Sequence, residues 1–208
     1  PASVLLHAIG LEHNNEIIDL FGKSKALINT LKDDADTASV LALTDIFHKL
    51  KPGEPTTPEG VHTFLISTYF DPRRYDLGRA GRFKLRQKLG IYDRLLGKFL
   101  AENLVSAAGE IKFEKGHEIT KEDIEELKNE EFFEKGAHQV HLNTNDKLDK
   151  HSCVTLVKVY LNEKQDKVYH IVGVDLNLVE SRITISDICA TFSYFLNILD
   201  GFGDCDDI

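Results

Sequence analysis

The 208-residue sequence contains no methionine and no tryptophan, only three cysteines and only five prolines. Lacking a methionine even at its start, and opening on Pro1 directly before the amphipathic "ASVLLHAIG", it reads as a piece excised from a longer polypeptide. Cys153, Cys189 and Cys205 form no CxxC pair and leave an odd thiol, which argues against a disulfide framework. With no apolar leader segment, this cysteine usage points to a reduced cytoplasmic interior. No apolar run reaches the roughly 18 residues that a membrane span needs. There is no internal repeat and no low-complexity tract. "GFG" at 201–203 follows a helical pattern instead of a strand, so it does not make a dinucleotide fingerprint. "DGFGDCDD" alternates acids like a calcium loop but lacks the bidentate Glu at the twelfth position. The acids of "KEDIEELKNEEFFEKG" read as a solvated helix face, so no nucleophile, phosphate loop or acid pair marks an active site.

What the sequence does contain is segregated charge. The formal net charge is −9, yet residues 71–98 hold nine cations against three acids, a net +6 that leaves −15 on the remainder. The nine are Arg73, Arg74, Arg79, Arg82, Lys84, Arg86, Arg94, Lys88 and Lys98. Such segregation on an acidic body points to one anion-facing surface. Arginine suits bidentate contact with phosphate, Tyr75 stands beside Arg74 to stack or hydrogen-bond, and a nucleic-acid backbone is the matching polyanion. The competing reading is an Arg-rich helix neutralised by the acidic remainder of the chain.

Periodicity supplies the frame. "SVLLHAIG" and "NNEIIDLFG" each end on a glycine, as helices often do, with Asn14 as the expected N-cap of the second. Asp36 or Thr37 is expected to cap "ASVLALTDIFHKL", where Val40, Leu43, Ile46, Phe47 and Leu50 recur at helical spacing. Three prolines in "KPGEPTTPEG" then interrupt, before a helix over "EGVHTFLISTYF". From Asp76 the spacing is helical again, with Arg79, Arg82 and Arg86 within about 60° of one another and Leu77, Gly81 and Leu85 on a stripe roughly 120° away. One side of that helix is thus expected to pack while the other presents guanidinium groups. Thr120 with Asp123 marks a helix start, "CVTLVKVYL" and "KVYHIVGVDL" flank the hairpin link "NEKQD", and a last helix is expected from Ser186 or Asp187 to Gly201. The expected fold is α+β: a mainly helical body over 1–97, a small β-rich module inserted as an appendage over 98–176, and a helix returning to the body over 177–208. His138, His141, His151 and Cys153 resemble a zinc set in residue type, but their spacing matches no standard finger, so the expectation is no metal.

Four segments together are more specific. "PASVLLHAIG" with "IIDLFG", "LTDIFHKLKPGEPTTPEG", "YFDPRRYDLGRAGRFKLRQKLG" and "ITISDICATFSYFLNILDGFGDCDDI" resemble, in that order, the lobe region of the beta subunit of bacterial DNA-directed RNA polymerase. The middle of the chain is similar to the longer form found in low-GC Gram-positive bacteria and their relatives. The resemblance implies a mainly helical lobe that forms one jaw above the DNA channel and holds promoter and downstream DNA. It implies no catalytic residue in this chain, and no cofactor, the magnesium of the assembled enzyme being bound by the beta prime subunit. Implied partners are DNA, the beta prime, alpha and omega subunits, the rest of beta, and sigma factor and elongation regulators, in the cytoplasm at the nucleoid. By motif match, Lys51 of "KPGEP" and Arg74 of "RRYDL" take positions at which the family offers basic side chains to promoter DNA. The expected DNA-facing set is Lys51, Arg73, Arg74, Tyr75, Arg79, Arg82 and Lys84. The alternative is a protein-docking module in which the Arg stripe is structural.

Overall fold

The computed structural model describes residues 1–142 and 153–203. The helices α1 (Ala2–Ala8), α2 (Asn14–Phe21), α3 (Lys25–Asp33), α4 (Ser39–Leu50) and α5 (Pro58–Leu65) come first, and α5 widens into a π-helical turn over Ile66–Phe70. Next are α6 (Gly78–Leu89), α7 (Ile91–Arg94), strands β1 (Phe99–Leu100), β2 (Leu104–Val105) and β3 (Ile111–Phe113), and α8 (Lys121–Asn129). Strands β4 (Gln139–His141), β5 (Cys153–Tyr160) and β6 (Tyr169–Val174) precede α9 (Ile185–Leu199). This is the α+β architecture expected from the sequence.

Helix starts follow capping chemistry, with partners drawn from across the fold. Thr57 caps α5 by accepting from the Gly60 N–H at 3.2 Å, and Pro58 occupies the first turn, where its missing donor costs nothing. Asn14 is the first residue of α2 instead of its cap, and its side-chain amide donates to the Asp34 carbonyl at 2.9 Å. Asp36 does not cap α4. It accepts from the Asn14 N–H at 2.7 Å, and that bond, followed by one from His13, holds its carboxyl below the usual range. The Ser39 N–H that starts α4 donates instead to Glu12 at 3.0 Å. Helix α9 begins at Ile185, one or two residues before the expected Ser186 or Asp187, with Thr184 as N-cap and Asp187 closing the capping box.

Strand β5 is central. It pairs antiparallel with β6 from Val154 opposite Val174 to Val159 opposite Tyr169, and along its other edge with β4 and then β1. Alternate side chains of β5 go to opposite faces. Val154 joins Leu6, Ile17, Phe21, Leu43 and Ile185 in one apolar core, while Val157 and Val159 join Ile91, Leu95, Leu127 and Phe133 in another. Both faces of the strand are therefore buried, which explains its near-continuous run of apolar and β-branched residues. The hairpin is a wall shared by two cores, not an appendage beside one. Strand pairing begins at Phe99 and ends at Val174, and the apolar packing continues past both ends.

A third, small cluster sets the position of the basic helix. Leu89, Val174 and Ala190 are buried together with Leu85 and Tyr194 against them, so α6 docks on α9 and β6. The expected apolar side of α6 does pack, through Leu85.

Candidate nucleic-acid interface

The turn "DPRRYD" is built locally. Asp71 accepts from its own near neighbours: the Arg73 N–H meets its carboxylate at 2.9 Å, and the Arg74 and Tyr75 N–H groups meet its carbonyl at 2.9 and 3.1 Å. Aspartate before proline favours such a turn because the side chain mimics a backbone acceptor. Asp76 closes the turn by accepting from the Gly78 N–H at 2.8 Å, at a glycine whose φ of +62° suits a residue without Cβ. A bond from Ser181, then the one from Gly78, lowers the Asp76 carboxyl below its ordinary range. The Leu77 N–H donates to the Ser181 carbonyl at 2.9 Å, so the segment after β6 anchors the turn.

The cations that follow divide into three kinds. Arg82 is 6% exposed and faces inward. Its guanidinium grips both oxygens of Asp187, the second at 2.9 Å, and donates to the Glu180 carbonyl at 2.8 Å and to the Arg182 carbonyl. Asp187 is itself 3% exposed. Arg82 thus leaves the DNA-facing set expected from the sequence: periodicity places it beside Arg79, but the carboxylate of α9 and two loop carbonyls draw it into the interior. Arg86 donates to the Leu178 carbonyl at 2.6 Å. Arg94 donates to the Val172 carbonyl at 2.6 Å and lies over the Tyr194 ring, with burial lowering its pKa to about 10. These three arginines brace the scaffold, Arg82 through a carboxylate and Arg86 and Arg94 through backbone carbonyls.

The second kind is paired and reaches solvent, Lys51 half-buried and Arg73 exposed. Lys51 ends α4, reaches Glu54 at 3.0 Å and lies 5.0 Å from the centroid of the Phe64 ring. Arg73 pairs with Asp71 at 2.8 Å, and that contact is the main reason the Asp71 carboxyl sits below its usual range. The third kind is Arg74, Arg79 and Lys84, which are exposed and, among the described residues, have no carboxylate within ion-pair distance. Tyr75 is exposed beside them and stacks on Tyr69, with centroids 6.3 Å apart and planes 16° apart. Tyr69 was not among the expected site residues, and no spacing in the sequence signals its contact, because the turn between the two rings is irregular.

The zinc-like set does not assemble among the described residues. His141 and Cys153 are cross-strand partners, but His138 lies half-buried in the turn before β4, where its Nε2 accepts from the Val105 N–H at 2.9 Å. His151 lies outside the described residues. Among the described residues no three His, Cys, Asp or Glu side chains are placed to hold a metal.

The fold and this surface define an α+β segment whose free cations project from a turn and helix braced by inward-facing arginines. No family profile matches the chain. Its similarity to known proteins nevertheless runs from end to end. It is 40% identical over 213 residues to DNA-directed RNA polymerase subunit beta of Geobacillus thermodenitrificans, covering 100% of this chain and 18% of that protein. It is 38% identical over 218 residues to the same subunit of Streptococcus thermophilus, covering 100% of this chain and 18% of that protein. It is 36% identical over 209 residues to that of Spiroplasma citri, with 98% of this chain and 16% of that protein covered. The chain belongs to the beta-subunit family of bacterial DNA-directed RNA polymerase, and it spans 16–18% of the length of these curated relatives.

Proposed function

We propose that this chain is the lobe segment of a polymerase beta subunit and that it holds promoter and downstream DNA in the channel by contacts to phosphate. The observation that carries this reading is the set Arg74, Arg79 and Lys84, left exposed and without a carboxylate partner among the described residues of a chain whose net charge is −9. An acidic protein offers many carboxylates to any mobile cation, so cations that remain unpaired are available to an external polyanion. Lys51 and Arg73 act as a reserve, since phosphate would have to displace Glu54 and Asp71 from them. The segment contributes no catalytic group. Nucleotidyl transfer belongs to the assembled enzyme, with magnesium on the beta prime subunit and with alpha, omega, sigma factor and elongation regulators as further partners in the cytoplasm.

The test is the lifetime of open promoter complexes against salt in polymerase reconstituted with Arg74→Ala, Arg79→Ala or Lys84→Ala in full-length beta. Truncating a side chain that neutralises one phosphate should reduce the slope against log[salt] by about 0.9 and shorten the lifetime at every promoter alike. Unchanged slopes in all three enzymes would remove the DNA role and leave a docking role for sigma factor or regulators as the better reading.

A further inference from the structure

We infer that the cleft bounded by the last turn of α6, by α7 and by the end of α9 is a binding site for a small phosphate-bearing anion, held by Arg94 and Lys98 with Lys88 beside them. It goes beyond the DNA reading, since the cleft lies at the opposite end of α6 from the turn that carries Arg74. Its volume is about 310 Å³, within the range of small-ligand sites, and its walls include Lys88, Arg94, Lys98, Tyr194, Asn197 and Phe202.

Arg94 is the central observation. Burial lowers its pKa to about 10, and among the described residues no carboxylate stands within ion-pair distance to offset that cost. Every acceptor it meets is neutral. The Val172 carbonyl accepts at 2.6 Å and the Ser193 hydroxyl at 3.2 Å. The Asn197 carboxamide, turned so that its NH2 donates to the His170 and Ser193 carbonyls, accepts at 2.8 Å. A guanidinium has five N–H donors, so two remain. A cation withdrawn from water without a counter-charge is costly, and a perturbed group of this kind in a cleft marks a candidate site. Lys98 is the second uncompensated cation: it is half-buried, lies 5.7 Å from the centroid of the Phe202 ring and reaches only the Leu96 carbonyl, at 3.4 Å. Lys88 lies 5.3 Å from the centroid of the Tyr194 ring and Arg94 5.4 Å from the same centroid. Among the described residues the carboxylate lining the cleft is that of Asp93, and Lys128 holds it at 2.6 Å.

Charge and size select the ligand. Arg94 and Lys98 each bring one uncompensated charge, and a phosphate monoester carries about −1.5 to −2 at neutral pH on one centre, where a carboxylate carries a single charge. The guanidinium fork also matches two phosphate oxygens at once. The cleft admits orthophosphate, pyrophosphate or the phosphate end of a nucleotide, and it is too small for a nucleic-acid duplex. Occupancy would tie α6, α7 and α9 together.

Calorimetric titration of the 208-residue protein with orthophosphate, pyrophosphate and ATP, at an ionic strength fixed with potassium chloride, tests the site. At least one should bind saturably, and at about ten times its Kd should raise the melting temperature by about 3–6 °C. Tightest binding of ATP would assign the site to a nucleotide, and equal affinities would assign it to free phosphate. Lys98→Gln should weaken binding by about tenfold or more, the loss of one hydrogen bond to a charged group. Arg94→Lys should weaken it as well, because one ammonium does not replace the fork. Lys32→Gln, which removes an exposed charge from α3, should bind as the parent does. If Arg94→Lys fails to fold, Lys98→Gln still decides, since Lys98 carries no ion pair whose loss would unfold the protein. Absence of saturable binding by all three anions, unchanged affinity in Lys98→Gln, or equally tight binding of malonate would overturn the proposal. Asp204, Asp206 and Asp207 lie outside the described residues and follow Gly203, which lines the cleft. A parent that binds none of the anions, with phosphate binding gained when these three are changed to Asn, would also overturn it and give the cleft to the chain's own acids.

Discussion

Arg82 offers the sharpest test of how the basic helix is held. In Arg82→Ala, Asp187 is deprived of a two-pronged partner, and the Glu180 and Arg182 carbonyls are each left without that donor. Asp187 is 3% exposed, so water does not reach it as a substitute. Removing one member of a buried ion pair costs about 3–5 kcal/mol, chiefly because the remaining charge is stranded. For a chain of this length that corresponds to a fall in melting temperature of about 6–20 °C, a large share of the roughly 5–15 kcal/mol that keeps a typical domain folded. Asp187 cannot simply relax away, because its carboxylate also accepts from the Thr184 N–H at 2.9 Å to start α9.

The assay is thermal unfolding of the 208-residue protein followed by circular dichroism, in a cycle of Arg82→Met, Asp187→Asn and the double variant. Asparagine still accepts at the helix start and carries no charge. The double variant should therefore be more stable than the sum of the single losses predicts, by about 1–3 kcal/mol. High salt should change little, since a buried pair is poorly screened. A melting temperature for Arg82→Ala within about 2 °C of the parent would show that this arginine is solvated, as would strict additivity in the cycle. It would then return to the surface set.

Acid should weaken the fold in two separate steps. Burial lowers the pKa of His138 and His170 below the ordinary 6.5, so the unfolded chain takes up those protons first, and stability falls as pH drops from about 6.5 through the lower folded values. The lowered carboxyls of Asp36, Asp71, Asp76 and Asp123 lose their contribution only below 3.8. Urea midpoints measured from about pH 8 to about pH 3 should show both declines, with the first reduced in His138→Gln. Gly173→Ala should destabilise by about 1–3 kcal/mol, because the added Cβ would stand 3.0 Å from both the Cβ and the backbone N of Ile91 in α7; a neutral urea midpoint would show that α7 moves freely. Burial pushes the Cys153 thiol up to about 11 and that of Cys189 up to about 12, so iodoacetamide at about pH 7.5 should leave both unmodified in the native protein. Peptide mass spectrometry showing Cys189 alkylated before unfolding would contradict its burial.

Local chemistry was legible in the sequence, and choices made at long range were not. The runs around "NEKQD" announce β5 and β6 because β-branched content and a polar link are properties of adjacent residues. Thr120 with Asp123 announces α8 for the same reason. Helix α3 had no such announcement: Leu27 and Leu31 are its buried residues, too few to stand out as a period. Asp36 lies in the right place to cap α4, but the Asn14 N–H, 22 residues earlier, binds it instead. His138 shows the same limit, since the Val105 N–H donates to its Nε2 through a bond that spacing does not encode.

The basic stretch shows the same limit at the site itself. Periodicity puts Arg79, Arg82 and Arg86 on one side of α6, and a single side suggests a single role. Their roles diverge because the helix rests on α9 and on the segment after β6, which brings Asp187 and the carbonyls of Leu178, Glu180 and Arg182 beneath two of the three. Arg79, nearer the start of the helix, remains exposed. The buried arginines and the free ones are thus parts of one arrangement. A guanidinium has enough donors to close several loop carbonyls and a carboxylate at once, and that closure fixes α6 and the turn before it. The phosphate binding proposed above would gain from such rigidity, because side chains on a fixed base give up less freedom when they bind. A helix with lysine in place of Arg82 would keep its formal charge, yet its single ammonium could not satisfy the same acceptors, and Arg74, Arg79 and Lys84 would lose the footing that holds them outward.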